Sequence, residues 1–229
     1  MRTQSKDTQS QLTPAKALEI LKEGNERFIR NLKANRNLLQ QVNETSSGQF
    51  PFATILSCMD SRTSSELIFD QGLGDIFSVR VAGAVLNEDV LGSMEYATRV
   101  AGSKVIVVLG HTKCGAVVGA CNQVKLGNLN LLLEKIQPAI DSEKFTHTDR
   151  TGNNGTFVRN VTENHVHLTI RRIREESEII RNLEISEHII IVGGIYDVET
   201  GQVHFFNGYN EDGLVAEQAD VIKSGHLAV

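Results

Sequence analysis

The sequence of 229 residues contains no tryptophan, only three prolines and only three cysteines. Because Cys58, Cys114 and Cys121 are too few and too odd in number for a disulfide framework, each thiol needs its own explanation. No apolar stretch approaches the roughly 20 residues that cross a bilayer. The polar residues 1–11 also lack the apolar core of a secretory signal. We therefore expect a cytoplasmic protein with no membrane partner.

Charged residues make up 22% of the chain and form no long basic stripe. Lysine and arginine number 23 against 28 aspartate and glutamate residues, which gives a net charge of −5. Such a surface is a poor partner for nucleic acid or for an anionic membrane, and it indicates a small ligand instead. With 40% hydrophobic residues, the length suits one large domain, or one domain with an appended arm.

The N-terminal fifth of the sequence predicts a helical arm. Thr13 and Pro14 are typical of a helix start, with an N-cap residue followed by proline at the first helical position. Apolar residues then recur on one helix face, namely Leu18, Leu21, Phe28 and Leu32. The mostly polar residues 33–48 suggest an arm laid across another surface. We expect residues 1–49 to pack on a neighbouring subunit and residues 50–229 to form the main domain.

Short apolar runs bounded by glycine or polar residues predict buried strands in the rest of the chain. The four clearest runs are residues 52–57, 76–81, 104–109 and 188–192. Between them lie helical patterns, notably over residues 88–101 and 158–183, and a polar surface loop is expected over 141–154. This alternation predicts an α/β fold with a mainly parallel β-sheet flanked by helices. Residues 203–206 would add an antiparallel edge strand, and residues 214–222 a weak helix.

Two loops that follow predicted strands carry the residue types of a metal site. Cys58-Met-Asp-Ser-Arg62 follows the first strand, and His111-Thr-Lys-Cys114 follows the third. Because parallel strands end at the same edge of a sheet, Cys58, His111 and Cys114 can supply three ligands to a tetrahedral Zn²⁺ ion. Three protein ligands leave the fourth position for water or substrate, as in a catalytic site. Cys121 lies about 10 Å further along a predicted helix and is expected to be a buried core thiol.

Asp60 and Arg62 stand at alternate positions of an extended segment, where a carboxylate and a guanidinium can pair. Asp60 can accept the proton of a zinc-bound water, or it can occupy the fourth zinc position in a closed state, and the balance would depend on pH. The alternative interpretation is that Cys58 and Cys114 are buried thiols beside a strand-end histidine and a surface ion pair. Composition and spacing alone lead to a zinc hydrolase or hydratase.

These motifs resemble those of the β-class carbonic anhydrases, and the likeness covers most of the chain. Cys58-Met-Asp-Ser-Arg62 resembles the Cys-Ser-Asp-Ser-Arg motif, His111-Thr-Lys-Cys-Gly115 resembles the second zinc loop, and residues 66–77 and 92–96 resemble the stretches between them. The resemblance implies that Cys58, His111 and Cys114 bind zinc in a catalytic domain over residues 50–229. It implies that Asp60, paired with Arg62, is the gate and proton acceptor. It also implies substrate-binding roles for four further residues, which are Gln49, Phe77, Tyr96 and Gly115.

By this resemblance we expect a zinc-dependent carbonic anhydrase, a lyase that hydrates CO₂ reversibly to bicarbonate and a proton by means of zinc-bound hydroxide. The family builds its apolar CO₂ pocket at a dimer interface, so we expect a homodimer as the basic unit, or a homotetramer built from it. Two alternatives stay open. The first is a hydrolase of a CO₂ analogue such as carbonyl sulfide or carbon disulfide, and the second is a non-catalytic, zinc-stabilised bicarbonate-binding protein.

The chain departs from the family pattern beside these motifs. Met59 replaces the common serine, Thr63 and Ser64 replace valine and proline, and Ala116 replaces a second glycine. Ile55 occupies the position where another branch of the family has the tryptophan of a bicarbonate inhibitory site. We therefore expect the open-site type, in which Asp60 stays off the metal, and we expect no departure to contact a ligand residue.

Overall fold

The computed structural model describes residues 3–206, and within that range the strands form one five-stranded sheet. The strands are β1 (Ala53–Ser57), β2 (Ile76–Arg80), β3 (Val105–His111), β4 (Ile190–Tyr196) and β5 (Val203–Phe205). Their order across the sheet is β2-β1-β3-β4-β5, and neighbours are parallel except for the antiparallel pair of β4 and β5. The predicted α/β fold with an antiparallel edge strand is confirmed.

Helices precede, connect and cover the strands. They are α1 (Lys6–Gln11), α2 (Pro14–Ile29), α3 (Leu38–Thr45), α4 (Ser65–Ile68), α5 (Glu88–Glu95), α6 (Gly115–Cys121), α7 (Leu129–Glu134), α8 (Gln137–Ser142), α9 (Gly155–Glu176) and α10 (Glu178–Ile185). A 3₁₀ turn (Ala82–Ala84) follows β2, and a π-helical turn (Tyr96–Val100) extends α5. Thr13 caps α2 as predicted, because its side chain accepts a hydrogen bond from the backbone N–H of Lys16.

The single helix predicted over residues 158–183 is wrong, because the chain forms two helices that meet at Ser177. The backbone of Ser177 leaves helical geometry, with φ −118° and ψ 103°. Its hydroxyl accepts a hydrogen bond from the N–H of Ile180 at 3.2 Å and donates one to Glu95 Oε1 at 2.6 Å. The hydrophobic periodicity continues across the break because α9 and α10 pack on the same cluster against the sheet.

The two faces of the sheet are covered by different helices. All residues of β1 and β3 are buried, as expected for central parallel strands. Ile55 and Val107 pack on the side of α2. The alternate residues Leu56 and Val108 pack on the side of α9 and α10. The site at the carboxyl ends of β1 and β3 therefore rests on a sheet that is fixed from both faces.

Helix α2 belongs to the predicted arm by sequence but packs on the chain's own sheet. Ala17 and Leu21 are fully buried. Asn25 Nδ2 donates to the carbonyl oxygens of Ile68 at 3.1 Å and Gly201 at 2.9 Å. Helix α3 instead exposes apolar side chains, which are Leu38, Leu39 and Val42. The packing of the arm on a neighbouring subunit stays a prediction.

The predicted surface loop over residues 141–154 begins with the last two residues of α8 and continues without helix or strand. The fully buried carboxylate of Glu143 fixes this loop, because it accepts a hydrogen bond from Arg150 Nη1 at 2.6 Å. The helix predicted over residues 214–222 lies outside the described residues. Between residues 3 and 206, no helix is long and apolar enough to cross a membrane.

Candidate metal centre

Three candidate ligands lie at neighbouring strand ends. Cys58 directly follows β1, His111 is the last residue of β3, and Cys114 is the N-cap of α6. Because β1 and β3 are parallel, with Ser57 beside Leu109, both loops leave the same edge of the sheet. Both Sγ atoms and one ring nitrogen of His111 lie within 4.8 Å of one another, and all three residues are buried. The predicted convergence of the three residues is confirmed.

A backbone hydrogen bond decides which nitrogen of His111 is available to a metal. Nδ1 lies 2.9 Å from the carbonyl oxygen of Thr112. Because a carbonyl only accepts, Nδ1 carries a proton, and Nε2 is the ring nitrogen left to face a metal. Nε2 is buried and has no hydrogen-bond partner among residues 3–206. A buried acceptor without a partner costs free energy, so this nitrogen fits the role of a metal ligand.

The two thiols of the cluster shift each other's pKa in opposite directions. A hydrogen bond with the Cys114 thiol lowers the pKa of Cys58 to about 4, against the opposing effect of burial. The backbone N–H groups of Asp60 and Gly83 also donate to Cys58 Sγ, at 3.4 and 3.3 Å. The same contact with Cys58, together with burial, raises the pKa of Cys114. These hydrogen bonds favour the thiolate form of Cys58, which is the form that binds a metal.

The predicted ion pair of Asp60 and Arg62 is present beside the cluster. Arg62 Nε and Nη2 donate to Asp60 Oδ1 and Oδ2 at 2.9 and 2.7 Å, and the Arg62 backbone N–H donates to Oδ1 at 2.9 Å. These hydrogen bonds hold the pKa of Asp60 well below its usual range. Arg62 Nη2 also donates to the carbonyl oxygen of Lys113 at 3.4 Å, which links the two loops. Asp60 is thus turned toward Arg62, and it is not among the three grouped ligands.

Arg80 and Thr63 support the first ligand loop, and the sequence does not identify either. Arg80 Nε donates to the carbonyl oxygen of Cys58 at 3.2 Å, and its Nη2 donates to that of Asp60 at 2.6 Å. The Thr63 hydroxyl lies 2.9 Å from each of the same two oxygens. The expectation that no family departure contacts a ligand residue is therefore wrong at Thr63, because this hydroxyl bonds the backbone of Cys58.

Gly83 and His165 extend the site to the 3₁₀ turn and to α9. The Gly83 N–H donates to Cys58 Sγ, and the Gly83 carbonyl oxygen lies 2.9 Å from His165 Nε2. No motif in the sequence marks these contacts, because they join three segments that are far apart along the chain. The third cysteine, Cys121, lies outside the cluster, and burial raises its pKa to about 11. The prediction that Cys121 is a core thiol is confirmed.

Of the four residues that the resemblance implies for substrate binding, one lies beside the cluster and two contact each other. Gly115, the first residue of α6, is exposed beside the cluster, and Gln49 is exposed in the segment before β1. Phe77 and Tyr96 contact each other edge to face, with ring centroids 6.3 Å apart. Phe77 lies three residues before Arg80, the last residue of β2, which places it about 10 Å along the strand from that edge of the sheet. Their substrate-binding roles stay predictions.

The fold and the donor set together define an α/β protein with a buried cluster of three candidate metal ligands at the carboxyl edge of its sheet. Two sulfur donors and one imidazole suit a borderline-soft divalent cation better than a hard one such as Mg²⁺ or Ca²⁺. The lowered pKa of Cys58 and the unpartnered Nε2 of His111 fit the same conclusion.

Comparisons with known proteins agree with this class. The family model described as carbonic anhydrase matches residues 53–203. Carbonic anhydrase 2 of Mycobacterium tuberculosis is 36% identical over 197 residues, which cover 82% of this chain and 91% of the relative. The carbonic anhydrase of Mycolicibacterium smegmatis is 33% identical over 209 residues, which cover 88% of this chain and 98% of the relative.

Solved structures show the same fold. The crystal structure of a β-carbonic anhydrase of Aspergillus fumigatus matches with a TM-score of 0.65 at 23% identity, and the match covers 91% of this chain and 97% of that one. A tetrameric β-carbonic anhydrase of Sordaria macrospora matches with a TM-score of 0.63 at 20% identity, over 74% of this chain and 90% of that one. The chain belongs to the β-carbonic anhydrase family, and it is an enzyme of the lyase class.

Proposed function

We propose that this protein catalyses the reversible hydration of CO₂ to bicarbonate and a proton, with Zn²⁺ held by Cys58, His111 and Cys114. The observation that carries the proposal is the grouping of these three donor atoms within 4.8 Å of one another. Thiolate sulfur and imidazole nitrogen are ligands that zinc prefers, and three protein ligands leave one position for reactants. Zinc, when bound, lowers the pKa of water and so supplies hydroxide near neutral pH.

Asp60 and Arg62 control the proton and the open position. With Oδ1 and Oδ2 both bound by Arg62, the Asp60 carboxylate is kept ionised and is oriented as a proton acceptor. The same ion pair keeps Asp60 from becoming the fourth ligand, which favours the open-site type. Release from Arg62 would let Asp60 close the site, so Asp60 is a conditional ligand.

The substrate pocket is completed by a second copy of the chain. Gly115 and Gln49 would offer polar contacts to the substrate, and Phe77 and Tyr96 would form the apolar wall. Support comes from the exposure of Tyr96, which is 51%, and from the distance of Phe77 from its own chain's cluster. We propose a homodimer as the basic unit, with the arm packed on the neighbour. The tetrameric state of the Sordaria macrospora protein suggests a homotetramer as the next level.

The names of the relatives favour hydration of CO₂ over hydrolysis of carbonyl sulfide or carbon disulfide, and over bicarbonate binding without catalysis. All three cysteines are free thiols, which fits a reducing compartment, and we propose the cytoplasm as the location of the protein.

The test is stopped-flow CO₂ hydration near pH 7, with zinc content measured on the same sample. Cys58→Ser should lose zinc and turnover, because it removes one of the three ligands. Cys121→Ser is the matched control, since this buried cysteine lies outside the cluster, and it should keep both. A wild-type protein with full zinc and no CO₂ turnover would contradict the proposal. Faster turnover of carbonyl sulfide or carbon disulfide would contradict the proposed substrate.

A further inference from the structure

One buried histidine is joined to the metal centre through a glycine. His165 lies in the middle of α9 and is 6% exposed. Its Nε2 atom is 2.9 Å from the carbonyl oxygen of Gly83 in the 3₁₀ turn after β2. The N–H of the same glycine donates to Cys58 Sγ at 3.3 Å. The two hydrogen bonds form a continuous connection from α9 to a ligand sulfur.

The direction of the first hydrogen bond follows from chemistry. A carbonyl oxygen only accepts, so Nε2 of His165 must carry the proton. Burial lowers the pKa of His165 to about 4, and the hydrogen bond to Gly83 opposes this only in part. His165 is therefore neutral near pH 7 with its proton on Nε2, which makes it a fixed donor.

The backbone at Gly83 has an unusual conformation and is closely packed. Gly83 adopts φ 68° in the left-handed region, where glycine is favoured. A Cβ atom there would come within 3.0 Å of Ile136 Cδ1 and 3.2 Å of Ala116 Cβ. A side chain here would be strained by the backbone conformation and tightly packed, so the turn favours glycine. A small rotation of the turn would move the N–H off the sulfur.

We propose that His165 is a positioning residue for the metal centre, which anchors the Gly83 carbonyl and so keeps the Gly83 N–H on Cys58 Sγ. An N–H donor to a thiolate stabilises the negative charge and orients the sulfur, as hydrogen bonds to metal ligands do in general. The inference rests on the proposed role of Cys58 as a metal ligand, but it does not depend on CO₂ as the substrate.

The test compares two substitutions of His165 with a control on the same helix. His165→Phe keeps an aromatic ring but removes the donor, while His165→Gln keeps an N–H that can reach the carbonyl. Ile170→Ala loosens α9 at a buried position in the sheet-facing cluster that makes no hydrogen bond to Gly83. The measurements are the zinc dissociation constant, from competition with a chromophoric chelator, and the thiolate-to-metal absorption band of the Co²⁺-substituted protein.

We expect His165→Phe to weaken zinc binding by about tenfold, at the low end of the effect of outer-shell partners, and to shift the Co²⁺ band. His165→Gln should recover most of the affinity and the wild-type band, and Ile170→Ala should leave the band unchanged. Wild-type affinity and band in His165→Phe would overturn the proposal. Equal losses in all three variants would overturn it too, because they would mean general loosening of α9.

A measurement on the wild-type protein covers the case in which His165→Phe does not fold. Histidine-ring ¹⁵N–¹H correlation spectra near pH 7, assigned with His165→Gln, should show His165 neutral and protonated on Nε2. Protonation on Nδ1 would overturn the proposal. This spectrum does not require bound zinc. If the wild type takes up no zinc, the proposed metal binding fails, whereas protonation of His165 on Nδ1 would mean that the connection through Gly83 fails.

Discussion

The guanidinium of Arg62 donates two hydrogen bonds to the carboxylate of Asp60, from Nε to Oδ1 at 2.9 Å and from Nη2 to Oδ2 at 2.7 Å. Arg62 also reaches the carbonyl oxygen of Lys113 in the second ligand loop. Paired bonds of this kind fix orientation as well as charge. Asp60 is two residues from Cys58 in the sequence. The direction of its carboxylate is set by the hydrogen bonds from Arg62.

Replacing Arg62 by alanine should free Asp60 to approach the metal and reduce CO₂ hydration, while zinc content stays near that of the wild type. The loss should be larger at low pH, because hydroxide is scarcer there and competes less well with a free carboxylate. Stopped-flow rates across the pH range, with zinc content measured in parallel, check this expectation. Arg62→Lys keeps the positive charge but cannot make the bidentate hydrogen bonds. Its CO₂ hydration rate should lie between those of the wild type and of Arg62→Ala. An equal loss at every pH would argue against gating.

Replacing Asp60 by asparagine should leave zinc bound and reduce turnover by about 100-fold, the lower range of what general acid–base groups contribute. Asparagine keeps the size of the side chain but cannot accept a proton in the same way. Turnover and zinc content in one preparation are the readouts. Wild-type turnover in Asp60→Asn would remove Asp60 from the proposed mechanism.

The ligand set could be predicted from the sequence because it depends on a rule of topology. Parallel strands end at one edge, so the residues after β1 and β3 had to meet, and Cys58, His111 and Cys114 do so. Gly83 and His165 could not be predicted in this way. Gly83 acts through its backbone, whose hydrogen-bond partners no side-chain pattern reveals, and His165 is brought to it by the packing of α9 on the sheet.

The break at Ser177 shows a second limit of sequence patterns. Apolar periodicity reports which face of a helix is buried, and α9 and α10 bury residues in the same cluster, so the pattern runs through the break. A local signal was present, since serine is a preferred N-cap residue and Glu178 follows it. Periodicity describes packing, whereas capping describes where a helix begins, and here only capping marked the boundary.

The buried carboxylate of Asp70 joins two arginines from the N-terminal segment. Arg27 Nε and Arg36 Nη1 donate to it at 2.6 and 2.5 Å, and the backbone N–H of Ala34 donates as well. The side chain of Asp70 is only 4% exposed. Burial raises the pKa of Asp70, but the hydrogen bonds from Arg27, Ala34 and Arg36 outweigh this and leave the pKa lowered.

Asp70→Asn should lower the free energy of unfolding by about 3 kcal/mol near pH 7, because it leaves the largely buried Arg36 and the partly buried Arg27 without their anion. A pKa that is lower in the folded state gives stability above the unfolded pKa of about 3.9, and this stability is lost as pH falls through the folded value. The difference between wild type and Asp70→Asn should therefore shrink in acid. Urea unfolding at fixed protein concentration measures it, with Glu19→Gln at an exposed ion pair as the control. A difference that does not change with pH would contradict this electrostatic account.

Two glycines inside helices should respond oppositely to replacement by alanine. At Gly24 in α2, a Cβ atom would come within 1.8 Å of the carbonyl oxygen of Phe69, whereas at Gly92 in α5 a Cβ meets no described atom within 4 Å. Helix propensity alone favours alanine at both positions by about 1 kcal/mol. Gly92→Ala should therefore stabilise the protein by up to that amount. Gly24→Ala should destabilise it by about 2 kcal/mol, because α2 must move away from the turn after α4. Urea unfolding of both variants at one protein concentration checks the pair, and a stabilised Gly24→Ala would mean that α2 does not pack on its own chain as described.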